Sequence, residues 1–105
     1  MSIIYYNKLV RDKIPEIIAE NGEKPNIRFL DRGELQQHLE GKLDEEVGEY
    51  HKDKTVEELA DILEVVFALA ETNGCSREEL LQAAQNKHDV RGGFSKGVFL
   101  ISKED

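Results

Sequence analysis

Apolar residues return every three or four positions through most of the chain, and Gly and Pro divide that pattern into helical segments with short extended pieces at both ends. Ile3 to Tyr6 is apolar and aromatic enough for a short strand or packed arm. Asp12 can cap a first helix that tolerates Pro15 in its first turn and ends near Asn21-Gly22. Asn26 to Leu30 reads as an extended connector. Asp31 then caps a long second helix to about Lys52, with Leu35, Leu39, Leu43, Val47 and Tyr50 along one face. Thr55 and Glu58 match a capping box for a third helix, the most apolar segment, which stops at Gly74. Ser76 and Glu79 repeat the signature for a fourth helix ending at Gly92-Gly93. The tail from Phe94 to Ile101 is aromatic and β-branched in places and can pair as a minor strand with the N-terminal arm or the connector.

The fold expected is all-α. With 105 residues, of which 39% are hydrophobic, the chain can bury one modest core, so a single domain over residues 1–105 is the expectation. The third helix is apolar around nearly its whole circumference, and Ile62, Leu63, Val66 and Phe67 cannot all face one intrachain core. Oligomerisation, at least to a homodimer, would bury the surplus. The lone Cys75 has no partner for an intrachain disulfide. No leader pattern and no membrane-length apolar run is visible, so a cytoplasmic protein with no membrane partner is expected.

Acidic residues number 22 against 14 basic ones, for a net charge of −8. That balance disfavours passive attraction to a nucleic acid polymer. A phosphorylated small molecule remains compatible if metal cations and a few placed basic side chains invert the local field.

Some of the acids fall where apolar residues are expected. At about 100° per residue, Glu46 projects between Leu35 and Leu39, and Glu49 lies at the margin of the same stripe. On the third helix Glu58 projects between Val65 and Leu69, and Asp61 between Val65 and Ala68. Carboxylates directed at an interior repel one another and lose hydration, so a positive charge must compensate. Glu46 with Glu49, and Glu58 with Asp61, are each three residues apart and share a helix face. Two such pairs facing one another make an oxygen-rich cage suited to Mg²⁺ or Mn²⁺, and the absence of Cys and His from the cluster argues against zinc. The alternative is that these acids are ordinary helix formers on a solvated face, with Glu58 completing the capping box from Thr55 and Glu45, Glu57 and Glu64 as plain surface charges.

KLDEEVGEY followed by EELADILEVV resembles the all-α nucleotide pyrophosphohydrolases of the MazG and phosphoribosyl-ATP pyrophosphohydrolase type, whose signature is ExxE, a short spacer, then ExxD. It falls on Glu46-Val47-Gly48-Glu49 and Glu58-Leu59-Ala60-Asp61. The segment NKHDVRGGF, Asn86 to Phe94, is similar to the basic stretch that follows in that family, and YNKLVRDKIPEII resembles the start of a MazG-like subgroup. Gly48 departs from good helix chemistry; its small size would admit a close helix or a ligand, or it is tolerated drift.

The resemblance implies a four-helix MazG-like bundle, assembled as a homodimer or homotetramer, that hydrolyses a nucleoside triphosphate or related substrate to the monophosphate and pyrophosphate. It implies that Glu46, Glu49, Glu58 and Asp61 coordinate Mg²⁺, with Glu46 or Glu49 the candidate acceptor of the water proton. Two basic clusters can hold the polyphosphate: Lys8, Arg11 and Lys13 near the start, Lys87 and Arg91 near the end. Their other reading is a solvated turn and a complement to the dipole of the fourth helix. Asn86 is a candidate base or sugar contact. House-cleaning of non-standard or surplus nucleotides is the expected role; the alternatives are phosphoribosyl-ATP hydrolysis and a non-catalytic helical interaction module.

Overall fold

The computed structural model describes residues 2–105, and its regular structure is entirely helical: α1 (Ile14–Glu20), α2 (Arg32–Asp53), α3 (Val56–Thr72) and α4 (Arg77–Arg91). The all-α expectation holds. Each long helix starts on a side-chain cap. The Asp31 carboxylate accepts from the Glu34 amide at 2.8 Å, the Thr55 hydroxyl from the Glu58 amide at 3.3 Å, and the Ser76 hydroxyl from the Glu79 amide at 3.1 Å. Gly74 and Gly92 follow α3 and α4 in the left-handed region, at φ +77° and +80°, where a Cβ would be strained.

α2 and α3 form an antiparallel hairpin, and the rest of the chain is arranged around it. Only Lys54 and Thr55 separate the helices, and Lys54 makes the turn at φ +53°. At the far end the Arg32 guanidinium donates to the Thr72 carbonyl through Nη2 at 2.6 Å and Nε at 3.2 Å. This contact ties the first residue of α2 to the last of α3 and satisfies a helix-end carbonyl that has no partner within α3. Between the two ends lie the buried core residues, Leu39 of α2 with Val65 and Phe67 of α3. Leu35, Leu43, Val47 and Tyr50 are half-buried on the same stripe of α2, as their spacing predicts. Full burial of a side chain such as Phe67 contributes roughly 1.5–3 kcal/mol, so this core is small for the chain it must order.

Of the four helices, α2, α3 and α4 pack together within the chain and α1 does not. α4 packs against α3 alone, with the Arg77 guanidinium 4.2 Å from the centre of the Phe67 ring, and every residue from Leu81 to Arg91 is exposed. α1 packs against none of the other helices. Its seven residues bury no side chain, and so short a helix presents too little apolar surface to dock by itself. Asp12 does not cap it. The Ile14 amide donates to the Arg11 carbonyl at 3.0 Å, Pro15 has no amide to offer, and Lys13 occupies the cap position without a side-chain bond.

The expected terminal strands are also absent among the described residues. A strand needs a partner edge, and neither arm finds one within the chain. Tyr5 is 77% exposed and Phe99 86%. The accessible surface is 9628 Å², against about 6,000 Å² for a compact folded monomer of this mass. The radius of gyration is 18.6 Å, where about 13 Å is typical of a chain this long. None of the helices is long and apolar enough to cross a membrane.

Candidate metal centre

The carboxylates singled out in the sequence meet near the turn of the α2–α3 hairpin, because an antiparallel pair joined by two residues brings the end of one helix against the start of the other. Glu46, Glu58 and Asp61 each bring an oxygen to within 4.8 Å of the others, and Glu49, Asp53 and Glu58 do the same. The two triads share Glu58. Glu46, Glu58 and Asp61 are half-buried, whereas Glu49 and Asp53 are exposed.

The shared position has a local cause. Three helices of this chain carry glutamate three residues after the cap, the position from which a side chain can fold back onto its own cap amide. Glu34 does so at 3.2 Å on Asp31, and Glu79 at 3.1 Å on Ser76. Glu58 does not: Thr55 caps α3 from one side only, and the Glu58 carboxylate faces the acids of α2 instead. The capping-box expectation therefore fails at Thr55–Glu58 for the same reason that the cluster has a centre.

Electrostatics separate the three glutamates. The side-chain hydrogen bond from Arg28, with help from the Asp31 amide, holds Glu34 below its ordinary value, and the Ser76 amide does the same for Glu79. Glu58 is pushed the other way, by burial first and then by Asp53, Asp61, Glu49 and Glu46. Its charged form lacks a compensating cation. The donor set is of a kind that suits one: carboxylate oxygens alone favour a hard ion such as Mg²⁺.

The basic residues distribute unevenly. The Arg11 guanidinium donates to Asp61 through Nη2 at 2.6 Å, which joins the N-terminal arm to the cluster. Lys8 lines an open cleft of about 270 Å³ with Asn7, Leu9, Gln37, His38, Gly41, Lys42 and Glu45. Lys13 sits exposed at the start of α1. Lys87 and Arg91 lie on the exposed half of α4, with no ion pair to the acids, and Arg91 borders a depression formed with the tail. Asn86 accepts a hydrogen bond from Gln82 on the same helix at 2.9 Å.

Two residues of the site escape the motif reading. Asp53 lies four positions after Glu49 and seven after Glu46, on the same stripe, a periodicity that was available in the sequence. Lys42 lies four before Glu46 and approaches it at 3.8 Å, with Glu45 at 3.9 Å. At Gly48 a Cβ would meet nothing within 4 Å, so no close helix within the chain explains the glycine.

No family model matches the chain, and no solved structure matches it. An uncharacterized protein of Mycolicibacterium smegmatis is 52% identical over 42 residues, a segment amounting to 40% of this chain and 43% of that protein.

The raised value at Glu58 has a definite sign in stability. A carboxyl that binds its proton more tightly when folded favours folding at low pH, and that contribution is lost as pH rises through the folded value. Glu58→Gln is therefore expected to raise the melting temperature of the metal-free protein at pH 7. Repeating the melts at descending pH should close the gap as the native Glu58 becomes protonated; a variant less stable at pH 7 would contradict the repulsion.

Proposed function

We propose that this chain is a Mg²⁺-dependent nucleotide pyrophosphohydrolase that cuts a nucleoside triphosphate, or a related phosphorylated small molecule, between the α and β phosphates. The observation that carries the reading is Glu58, an N-terminal helix glutamate whose carboxylate makes no bond to the Thr55 cap amide and stands amid four other carboxylates. The resemblance of the ExxE and ExxD motifs to the MazG-type enzymes supports it.

Glu46, Glu58 and Asp61 would hold one cation, and Glu49 and Asp53 are placed with Glu58 to extend the site. A bound Mg²⁺ supplies charge for the phosphoryl oxygens and makes a bound water more acidic. The remaining work falls to the side chains. Glu46 or Glu49 accepts a proton from the attacking water, and Glu49, being exposed, is reached by solvent. Lys8 and Lys42 border the cleft beside Glu45 and Glu46, where cationic groups suit the β and γ phosphates. Lys87 and Arg91, turned to solvent on α4, would serve the site of a neighbouring copy.

Assembly belongs to the same proposal. The apolar residues of the arms, the half-exposed Leu59 and Leu63 on α3, and the excess accessible surface all support at least a homodimer. Sedimentation at micromolar concentration is expected to return a dimer or tetramer; a monodisperse monomer would contradict it.

Catalysis is tested by pyrophosphate release from canonical and modified nucleoside triphosphates with Mg²⁺ or Mn²⁺. The native protein should release pyrophosphate from at least one of them, leaving the monophosphate. Asp61→Ala and Glu49→Ala should each lose on the order of 100-fold or more while remaining folded, since even groups one step removed from a metal carry 10- to 100-fold effects. No release from any substrate would favour the non-catalytic interaction module, a reading that the exposed apolar arms also suit.

A further inference from the structure

We propose that Arg11 is a built-in cation that occupies Asp61 until a divalent metal ion displaces it, so that filling the carboxylate site releases the N-terminal arm. The inference rests on the reading of the acids as a cation site and adds a regulatory consequence to it.

The arm reaches the hairpin through two kinds of contact. Asn7 bends the chain at φ +46°, and Leu9 is half-buried in the cleft beside Gln37, His38 and Gly41 of α2. Two residues further on, Arg11 crosses to α3 and donates to Asp61 at 2.6 Å. Residues 2–8 are exposed, and so are Val10, Asp12 and Lys13. Leu9 and Arg11 therefore fix the arm's course, and Arg11 is the part of that attachment that depends on the charge state of the cluster.

A guanidinium on Asp61 and a metal ion on the same carboxylate exclude or weaken one another. Arg11 brings one positive charge to one acid, through a pair whose side chains are 57% and 41% exposed. An ion held by Glu46, Glu58 and Asp61 brings two charges to three acids at once. The exposed pair is the weaker partner, and at saturating metal it gives way. The freed guanidinium then has its donor fork open, the form in which Arg grips phosphate oxygens bidentately. Arg11 is thus a positioning residue whose partner changes from Asp61 to substrate as the metal loads.

Two readouts on the 105-residue chain test this, with Mg²⁺ and Mn²⁺ alone as probes. Calorimetric titration should show Arg11→Gln binding either ion about two- to fivefold more tightly than the native protein, the range that loss of an exposed competing ion pair allows. Tryptic cleavage of the arm after Lys8 and Lys13 should quicken several-fold on adding Mg²⁺ to the native protein. In Arg11→Gln it should already be fast and stay unchanged by metal. Equal affinities, or tighter binding with arm cleavage that metal leaves unmoved in the native protein, would overturn displacement while leaving the cation site standing. If neither protein binds metal, the cation-site reading fails and this proposal with it.

Discussion

Like-charged carboxylates held face to face are the constraint around which this structure is organised. The α2–α3 hairpin sets five acids against one another within a few residues of its turn, although nothing in the turn itself requires them there. Glu58 shows the consequence most plainly. It forgoes the cap hydrogen bond that Glu34 and Glu79 both make, and burial and its acidic neighbours raise its proton affinity. Ordinary helix chemistry would relax this arrangement by turning Glu58 back onto Thr55. A cation would offset the repulsion that the fold keeps, and within the chain Arg11 and Lys42 each bring one positive charge to one side of the cluster.

The hairpin withstands that repulsion because its attachments lie elsewhere. Leu39, Val65 and Phe67 form the buried centre, and Arg32 closes the end opposite the acids on the Thr72 carbonyl. The strained site and the cohesive core are thus at different heights along the same helix pair. Outside that pair the chain is underpacked: α1 docks on no other helix, α4 touches only α3, and both arms expose aromatic and branched residues. An isolated chain with so little buried surface has a small margin of stability. The apolar surface left over is what the proposed assembly would bury.

Local signals were the most legible part of the sequence. Asp31, Thr55 and Ser76 mark helix starts because capping is decided by residues a turn apart, and Gly74 and Gly92 mark ends because they supply the left-handed conformation. The carboxylate cluster was legible for the same reason, since helical spacing fixes which acids share a face. Asp53 and Lys42 were equally accessible to that argument but lay outside the motif. Long-range features were not legible. Hydrophobicity in Ile3–Tyr6 and Phe94–Ile101 predicts strands, yet pairing depends on an edge that no local pattern specifies. Arg11 read as a phosphate ligand by its charge; that it meets Asp61, fifty positions away, is a property of the folded hairpin.

The central claim, that these carboxylates form a divalent-cation site, is tested most directly by thermal unfolding against rising Mg²⁺ at constant ionic strength. Binding to the folded state alone stabilises by mass action, about 2.7 kcal/mol when the ion is at 100 times its Kd. The account predicts a saturable rise in melting temperature for the native protein and little response in a variant carrying Glu58→Gln and Asp61→Asn. No rise in the native protein, or the same rise in both, would contradict it.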